Sequence, residues 1–408
     1  MCVHCAWGGP LHGDRYNVRM SRHDRPSPLL GGLSPRRFLA RHWQKRPLLV
    51  RGAGDRLTGL LTSAELIALA CEDEVESRVV IRRGQCWEVQ RGPFEPRFFR
   101  RLPARNWTLL VQGVDHFVAE GRALLQHFDF IPYARLDDLM VSYARPGGGV
   151  GPHFDSYDVF LLQGAGHRAW RISRQRDLAL LADAPLKLLA DFRMEQEWVV
   201  GPGDMLYLPP GCAHDGVAAD ECMTYSIGFR APAWQELGVQ FLIHLQDRLE
   251  WRGIYADPAL EPTAHPARLG RDLVRATRER LDGIRWSQAQ VVRFLGCYLT
   301  EPKPHVVFEP PRQALSLHAF TRRALQTGVA LALKTQMLYD GAEVFINGED
   351  LRIDLGGARS RAVRARLREL ADARRLQPCR ADSAALFEHL YAWYRAGYLT
   401  LGGAGPTP

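Results

Sequence analysis

Several features that would identify a membrane or secreted protein are missing from these 408 residues. No uninterrupted apolar run reaches the roughly 18 residues that a membrane-spanning helix needs. The N-terminal residues lack the apolar core of a secretory signal peptide. The eight cysteines are scattered along the chain, which is not the dense arrangement of a disulfide framework. These absences predict a cytoplasmic protein whose fold does not depend on disulfides.

Lysine is also scarce, so the net charge of +8 comes almost entirely from arginine. A positive balance favours anionic surroundings such as a ribonucleoprotein. No RNA-binding signature with interleaved aromatic residues accompanies the charge. Cys2 and Cys5 form a C-x-x-C pair, but no second pair follows at zinc-finger spacing. Composition alone therefore does not support direct nucleic-acid binding.

The chain is long enough for two or three domains. Residues 1–28 are polar and predict a disordered extension. Short strand patterns divided by Gly and Pro fill residues 29–232 and predict a β-barrel or double-sheet jelly roll. Residues 233–301 have helical periodicity, and residues 302–408 predict a small winged-helix type of domain after a proline-rich linker. The predicted class is α+β.

Two glycine- and proline-rich stretches carry the strongest chemical signal. GGGVGPHFDSYD contains His153 and Asp155, and LPPGCAHD contains His214. Residues i and i+2 of a strand point to the same face, so His153 and Asp155 can aim at one point. Two histidines and one carboxylate bind one face of Fe(II) and leave positions open for chemistry. Zinc accepts the same ligand types, but the helical H-E-x-x-H spacing is absent, which favours iron.

A cationic anchor is predicted on the strand HRAWRIS. Strand alternation puts Arg168, Trp170 and Ile172 on one face, which is the inner face if the tryptophan is buried. An arginine fork pairs with a carboxylate at two points, as an acidic co-substrate requires. Three further residues on the barrel strands are candidate hydrogen-bond donors: Ser142, Tyr143 and Ser226.

The stretches GGGVGPHFDSYDVFLLQGAGHRAWRIS, LPPGCAHDGVA and YSIGFRAP resemble the JmjC-type cupin oxygenases. More narrowly, the chain resembles the bacterial ribosomal oxygenases that hydroxylate an arginine of large-subunit ribosomal protein L-sixteen. The resemblance follows the order of parts from residue 28 to 408 and is most specific between 136 and 232. It implies a double-stranded β-helix (JmjC) catalytic domain, then a helical dimerisation region, then a winged-helix-like C-terminal domain.

The resemblance also implies the cofactors and the reaction. Iron would be held by His153, Asp155 and His214, and 2-oxoglutarate by Arg168 with Ser142 nearby. The products would be succinate, CO2 and an arginine hydroxylated at Cβ. A guanidinium substrate is expected to meet carboxylates or aromatic faces at the cavity mouth. The 2-oxoglutarate set is completed by the strand residue Ser226, and the substrate candidates are Tyr143, Asp137, Asp138 and Asp158.

Two other functions are consistent with the residues. The first keeps the oxygenase chemistry but acts on a histidine of another ribosomal protein. The second is a non-catalytic cupin fused to a winged helix that serves as a DNA-binding sensor. Against the sensor, the chain retains all three metal-ligand candidates and the arginine anchor. The arginine-rich stretch SRAVRARLREL is interpreted as a solvated helix face.

Overall fold

The computed structural model describes residues 21–54, 57–84 and 86–402. Within those residues, eleven strands up to residue 229 form two antiparallel sheets. In chain order they are β1 (Leu48–Val50), β2 (Ser77–Arg83), β3 (Cys86–Arg91), β4 (Trp107–Val111), β5 (Leu136–Ala144), β6 (Asp158–Ala165), β7 (Arg168–Ser173), β8 (Gln196–Val200), β9 (Met205–Leu208), β10 (Ala213–Ala218) and β11 (Cys222–Phe229).

The larger sheet has eight strands in the order β1-β9-β6-β11-β5-β4-β2-β3, and the smaller has three in the order β10-β7-β8. Alternation along β6 divides its side chains between two apolar clusters. Phe160 and Leu162 join a core on one face of the larger sheet. Val159 and Leu161 join a second core together with Trp170 of the smaller sheet. The prediction of an α+β chain with a double-sheet jelly roll is confirmed.

Among the described residues up to 126 there are four short α-helices: α1 (Pro35–Arg41), α2 (Ser63–Leu69), α3 (Pro96–Phe99) and α4 (Ala119–Gln126). Helix α1 begins at an N-cap, because the Ser34 hydroxyl accepts a hydrogen bond from the Arg37 amide. Helix α2 begins with a capping box between Thr62 and Glu65. Phe38 of α1 is fully buried in the core of the larger sheet. The helices therefore cover the sheet face opposite the smaller sheet.

The predicted N-terminal extension overlaps the described residues only at 21–28. This short segment includes a one-turn 3-10 helix, Arg22–Asp24. Arg22 lies 3.1 Å from Asp129, and Asp24 lies 2.7 Å from Arg36. Both ion pairs are exposed, so each stabilises the fold by no more than about 1 kcal/mol. Residues 21–28 are thus attached to the domain, and the rest of that prediction lies outside the described residues.

Three helices follow the jelly roll: α5 (Trp234–Gln246), α6 (Arg271–Asp282) and α7 (Gln288–Thr300). Phe241 of α5 and Phe294 of α7 pack edge to face, with ring centroids 5.3 Å apart. Large apolar side chains remain exposed in this region, with Leu242 at 64% and Trp286 at 54%. Among the helices of the described residues, none combines the length and apolarity needed to cross a bilayer.

The C-terminal part has its own core and its own small sheets. Its elements are α8 (Leu317–Thr327), β12 (Val329–Leu331), β13 (Met337–Asp340), β14 (Glu343–Ile346), β15 (Glu349–Arg352), α9 (Gly357–Ala373), β16 (Arg375–Leu376), α10 (Ala384–Arg395) and β17 (Leu399–Leu401). The arginine-rich helix α9 buries Val363 and Leu367 in that core. Helix α7 packs on β14. The Phe345 ring lies so close to Gly296 that a Cβ at this position would collide with it.

Candidate metal centre and substrate cavity

A cavity of about 580 Å³ lies between the two sheets. The larger sheet contributes four small hydroxyl side chains to its lining, Thr108, Ser142, Thr224 and Ser226. The smaller sheet contributes Arg168 and His214. Because inward positions alternate along each strand, the cavity collects polar groups from both sheets while the apolar cores lie around it.

The predicted ligand triad, His153, Asp155 and His214, meets at this cavity. One ligand atom of each residue lies within 4.8 Å of the others. His153 and His214 form an isolated antiparallel bridge, with N···O distances of 2.9 and 2.8 Å. His214 Nε2 is 3.7 Å from an Asp155 carboxylate oxygen. Backbone pairing therefore fixes the two imidazoles side by side, and the carboxylate joins them from two residues further on.

Backbone carbonyls select the ring nitrogen that each imidazole presents. His153 Nδ1 lies 2.9 Å from the Gly151 carbonyl oxygen, and His214 Nδ1 lies 3.0 Å from that of Cys212. A carbonyl only accepts, so Nδ1 carries the proton in both rings and donates it. The Nε2 lone pairs are then free for a cation. Burial, followed by the neighbouring His153, lowers the pKa of His214 to about 4, so this ring is neutral at pH 7.

Arg168 is the main cationic group inside the cavity. Its side chain is only 4% exposed, and its guanidinium carbon lies 5.6 Å from the centre of the Trp170 ring. Among the described residues, none accepts a hydrogen bond from the buried Nε and Nη2 atoms. A buried guanidinium without acceptors is unfavourable, so this arrangement suits an anionic ligand that supplies them. The predicted inward orientation of Arg168 and Trp170 is confirmed.

Other polar groups of the cavity point to the same kind of ligand. Ser142 and Ser226, both predicted on barrel strands, line it and are nearly buried. Thr108 was not predicted from the sequence. Its hydroxyl and the Trp170 indole nitrogen are buried without a hydrogen-bond partner in the described part of the chain. A ligand with several oxygen atoms would satisfy these groups together with Arg168.

Asp137 and Asp138 form one side of the cavity, which we call the acidic wall. Asp137 is neutralised by two cations, since its Oδ1 lies 3.4 Å from Arg230 and 3.8 Å from Lys303. Asp138 is 4% exposed and accepts hydrogen bonds from the Gly113 amide at 3.0 Å and from Gln112 at 3.1 Å. Asp138 thus has neutral hydrogen-bond donors where Asp137 has cations.

The acidity of Asp138 reflects this environment. Burial, and then the negative charges of Asp137 and Asp115, raise its pKa to about 7, although Lys303 and the Gly113 amide act in the opposite direction. A ligand that brings a positive charge beside Asp138 would favour its ionised form. The acidic wall is therefore suited to receive a cation such as a guanidinium group.

Two of the predicted substrate residues, Tyr143 and Asp158, lie outside the cavity, because alternation along their strands turns their side chains away from it. Tyr143 faces away from the cavity, packs in the helix-covered core and donates a hydrogen bond to Glu221 at 2.7 Å. Asp158 is completely buried beneath the larger sheet, where it accepts a hydrogen bond from Tyr207 at 2.5 Å. It also accepts one from the Gln44 side chain at 3.1 Å. Both predictions were wrong as to location, because these residues support the fold.

Sequence reasoning also missed residues at the cavity mouth. Tyr157 lines the cavity in the turn between Asp155 and β6, where strand alternation gives no guide. Lys187 comes from the long insertion between β7 and β8. The apolar composition of that insertion could have suggested that it covers the cavity. Leu189 of the insertion donates a backbone hydrogen bond to the Pro152 carbonyl at 2.8 Å, beside the ligand triad.

Comparison with known proteins agrees with this geometry. Residues 123–237 match the JmjC domain family, and residues 283–400 match the ROXA-like winged helix. The ribosomal protein uL16 3-hydroxylase of Escherichia coli (strain K12) is 35% identical over 322 residues, which cover 77% of this chain and 84% of that protein. The winged-helix match begins before the predicted boundary at residue 302 and includes α7, which packs on β14.

Solved structures give the same result. The Escherichia coli ribosomal oxygenase YcfD in complex with cobalt and 2-oxoglutarate aligns with a TM-score of 0.76 and 32% identity, covering 90% of this chain and 98% of that one. The same protein with cobalt and succinic acid gives a TM-score of 0.74, 32% identity, and coverage of 90% and 98%. The family predicted from the central motif is therefore confirmed, and this chain belongs to the JmjC ribosomal oxygenases.

Proposed function

We propose that this chain is an Fe(II)- and 2-oxoglutarate-dependent oxygenase that hydroxylates the Cβ of an arginine in large-subunit ribosomal protein L-sixteen. The carrying observation is that three metal-ligand side chains and a buried, unsatisfied guanidinium line one cavity. The relative that hydroxylates uL16 and the solved structure with 2-oxoglutarate support the choice of reaction. Ribosomal proteins are made in the cytoplasm, so we expect the reaction there.

The proposed iron site consists of His153, Asp155 and His214. Their donor set, two neutral imidazoles and one carboxylate, suits a divalent iron ion with open coordination positions. When bound, the iron supplies the oxygen-activating chemistry that these side chains lack. The residues themselves hold the ion on one side and leave the cavity side free for substrate. The two backbone carbonyls keep the imidazoles in the tautomer that this role requires.

The proposed 2-oxoglutarate site is built around Arg168. Its unsatisfied Nε and Nη2 atoms would donate to the carboxylate of the co-substrate that lies away from the metal. Ser142 and Ser226 would add hydroxyl donors from the larger sheet, and Thr108 would add a third. Burial of Arg168 excludes competing water and strengthens these interactions. The acid would therefore be held with one end at the metal and the other at Arg168.

The proposed substrate site uses the acidic wall. A target guanidinium would pair with Asp138, the wall carboxylate that has no cationic partner of its own among the described residues. Tyr157 offers an aromatic face at the mouth. This local negative charge matters because the chain has a net charge of +8 and would otherwise repel a basic ribosomal protein. Substrate choice thus depends on a few residues and not on the overall charge.

The decisive experiment measures the product on the target protein. Purified L-sixteen from the same organism is incubated with enzyme, Fe(II) and 2-oxoglutarate, and tryptic peptides are analysed by mass spectrometry. We expect one arginine peptide to gain the mass of one oxygen atom, together with stoichiometric succinate. The change should need both iron and 2-oxoglutarate. An unmodified L-sixteen, or a modified histidine in another ribosomal protein, would refute the proposed target.

We also propose that a second copy of the chain covers the groove between α5 and α6. The groove is lined mostly by apolar side chains, which are Leu242, Leu245, Leu249, Leu281, Ile284 and Trp286. An exposed apolar surface of this kind favours a homodimer, as the family resemblance implies. Sedimentation should give a dimer for the wild type and a monomer for Leu242→Glu. Leu355→Glu, an exposed change in the C-terminal domain, should remain dimeric. A monomeric wild type would refute the proposal.

A further inference from the structure

The loop of residues 112–117, between β4 and α4, contacts the acidic wall on one side and the C-terminal domain on the other. At its start, Gln112 and the Gly113 amide donate hydrogen bonds to the same oxygen of Asp138. Gly113 has a φ of +61°, a conformation that favours glycine and aims its amide at the carboxylate. Two residues after Gly113, Asp115 accepts a hydrogen bond from the Leu139 amide at 3.0 Å. The loop therefore holds both the side chain of Asp138 and the backbone that follows it.

The other side of this loop contacts the C-terminal domain through a buried charge pair. Arg122 Nη2 lies 2.9 Å from an Asp115 carboxylate oxygen, and it donates a hydrogen bond to the Leu333 carbonyl at 2.8 Å. Asp115 and Arg122 are 0% and 6% exposed. Arg374 of the C-terminal domain also reaches this point and donates to the Ala332 carbonyl at 2.9 Å. One guanidinium of the catalytic domain thus bridges its own buried aspartate and the segment between β12 and β13.

Two more contacts attach the same segment to the catalytic domain. Lys334 lies 2.7 Å from Glu74 and 5.1 Å from the centre of the Phe117 ring. The C-terminal domain therefore packs directly against the loop that holds Asp138. Burial disfavours the charge of Asp115, but Arg122 and His116 outweigh it and lower its pKa, so the carboxylate stays ionised. Without Arg122 this buried charge would lose its nearest cation, and the loop would shift to expose it.

From these contacts we infer that Arg122 is a positioning residue, through which the C-terminal domain holds Asp138 in place to receive the substrate's guanidinium. This inference rests on the proposed function, because it takes Asp138 as the substrate acceptor. It gives the winged-helix domain a part in substrate recognition without any contact to the reacting atoms. Arg122 acts through Asp115 and the loop, so its loss should weaken substrate binding and leave the iron and 2-oxoglutarate sites unchanged.

The test compares Arg122→Met with the wild type in steady-state kinetics on purified L-sixteen. We expect the KM for L-sixteen to rise about tenfold, while the KM for 2-oxoglutarate and its turnover without protein substrate stay unchanged. Arg122→Lys keeps the charge and should recover part of the loss. Arg366→Met is the matched control, since it breaks an ion pair inside the C-terminal domain with Asp382, whose side chain is only 6% exposed. It should lower the melting temperature without changing the KM for L-sixteen.

A double-mutant cycle separates positioning from general destabilisation. In an Asp138→Asn background, Arg122→Met should add little further increase in KM, because the group that it positions is already lost. Equal effects in the two backgrounds, or a wild-type KM in Arg122→Met, would overturn the inference. If Arg122→Met does not fold, Arg122→Lys in the same cycle gives the answer. If the wild type does not modify L-sixteen at all, the proposed function fails instead, so the two failures are distinguishable.

Discussion

The two ends of the cavity are held in place by different means. At the ligand triad, the two imidazoles are fixed by strand pairing and by carbonyls two residues earlier in the chain. At the acidic wall, Asp138 is fixed by a loop whose Phe117 contacts Lys334, more than two hundred positions away. Local constraints make the metal end resistant to distant changes. The substrate end depends on how the domains pack, so it can be altered from far outside the cavity.

The largest expected effect comes from breaking the metal end. His153→Ala removes one ligand and should lower turnover by about 10³-fold or more, with loss of iron binding. Iron content after desalting and succinate formation are the measurements. His167→Ala is the control, because this exposed histidine binds Asp220 outside the cavity and should retain both iron and activity. Wild-type turnover in His153→Ala would remove the metal assignment.

The next effect tests the co-substrate anchor. Arg168→Met should raise the KM for 2-oxoglutarate by about 10²-fold, since a charge-assisted bidentate contact is lost inside a buried site. Iron affinity should hardly change. Arg171→Met provides the comparison, because Arg171 lies on the opposite face of the same strand and pairs with Glu197 at 3.0 Å. An unchanged 2-oxoglutarate dependence in Arg168→Met would count against the anchor role.

At the acidic wall, Asp138→Asn keeps the shape of the side chain and removes its charge. We expect kcat/KM for L-sixteen to fall by about 10²-fold, because the target guanidinium loses its ion pair. The KM for 2-oxoglutarate should not change. Asp158→Asn tests whether any buried aspartate would do the same, since Asp158 is fully buried away from the cavity. It should destabilise the fold by about 1–3 kcal/mol and leave the KM for L-sixteen unchanged.

The smallest predicted effect is a pH dependence confined to the substrate end. Asp138 has a pKa raised to about 7, so it is mostly neutral below that value and mostly ionised above it. The ionised form binds a guanidinium, and the KM for L-sixteen should therefore fall about tenfold from pH 6 to pH 8. The KM for 2-oxoglutarate should not follow this curve. In Asp138→Asn the pH dependence should disappear, and its persistence would assign the titration to another group.

The same contrast explains what could be predicted from the sequence. His153, Asp155 and Arg168 lie on short extended stretches, where alternation and turn residues are visible in the letters. Asp158 has the opposite parity to Asp155, so alternation alone indicates that it faces away from the metal ligands, and the structure places it there. Tyr157 was missed because it lies in the turn between Asp155 and β6, where counting along a regular strand does not apply.

The contacts of the C-terminal domain could not be foreseen from sequence. Arg122 looks like an ordinary helix residue until residues 332–334 are brought beside it by the fold. Helix α7 was grouped with the preceding helices because its period is the same, while its packing on β14 depends on Gly296 meeting Phe345. Short-range pattern determines each element, but the choice of partner depends on shape complementarity between distant segments.

The two residues whose carbonyls hold the histidine rings differ in the substitutions that they tolerate. Cys212 contributes only its main-chain oxygen to His214, so a small apolar or hydroxyl side chain could replace the thiol while the ring stays braced. Gly151 is different, because its φ of +79° and the nearby Trp87 and Leu188 side chains exclude other residues. Over evolutionary time the first position can vary among relatives, whereas the second is expected to remain glycine.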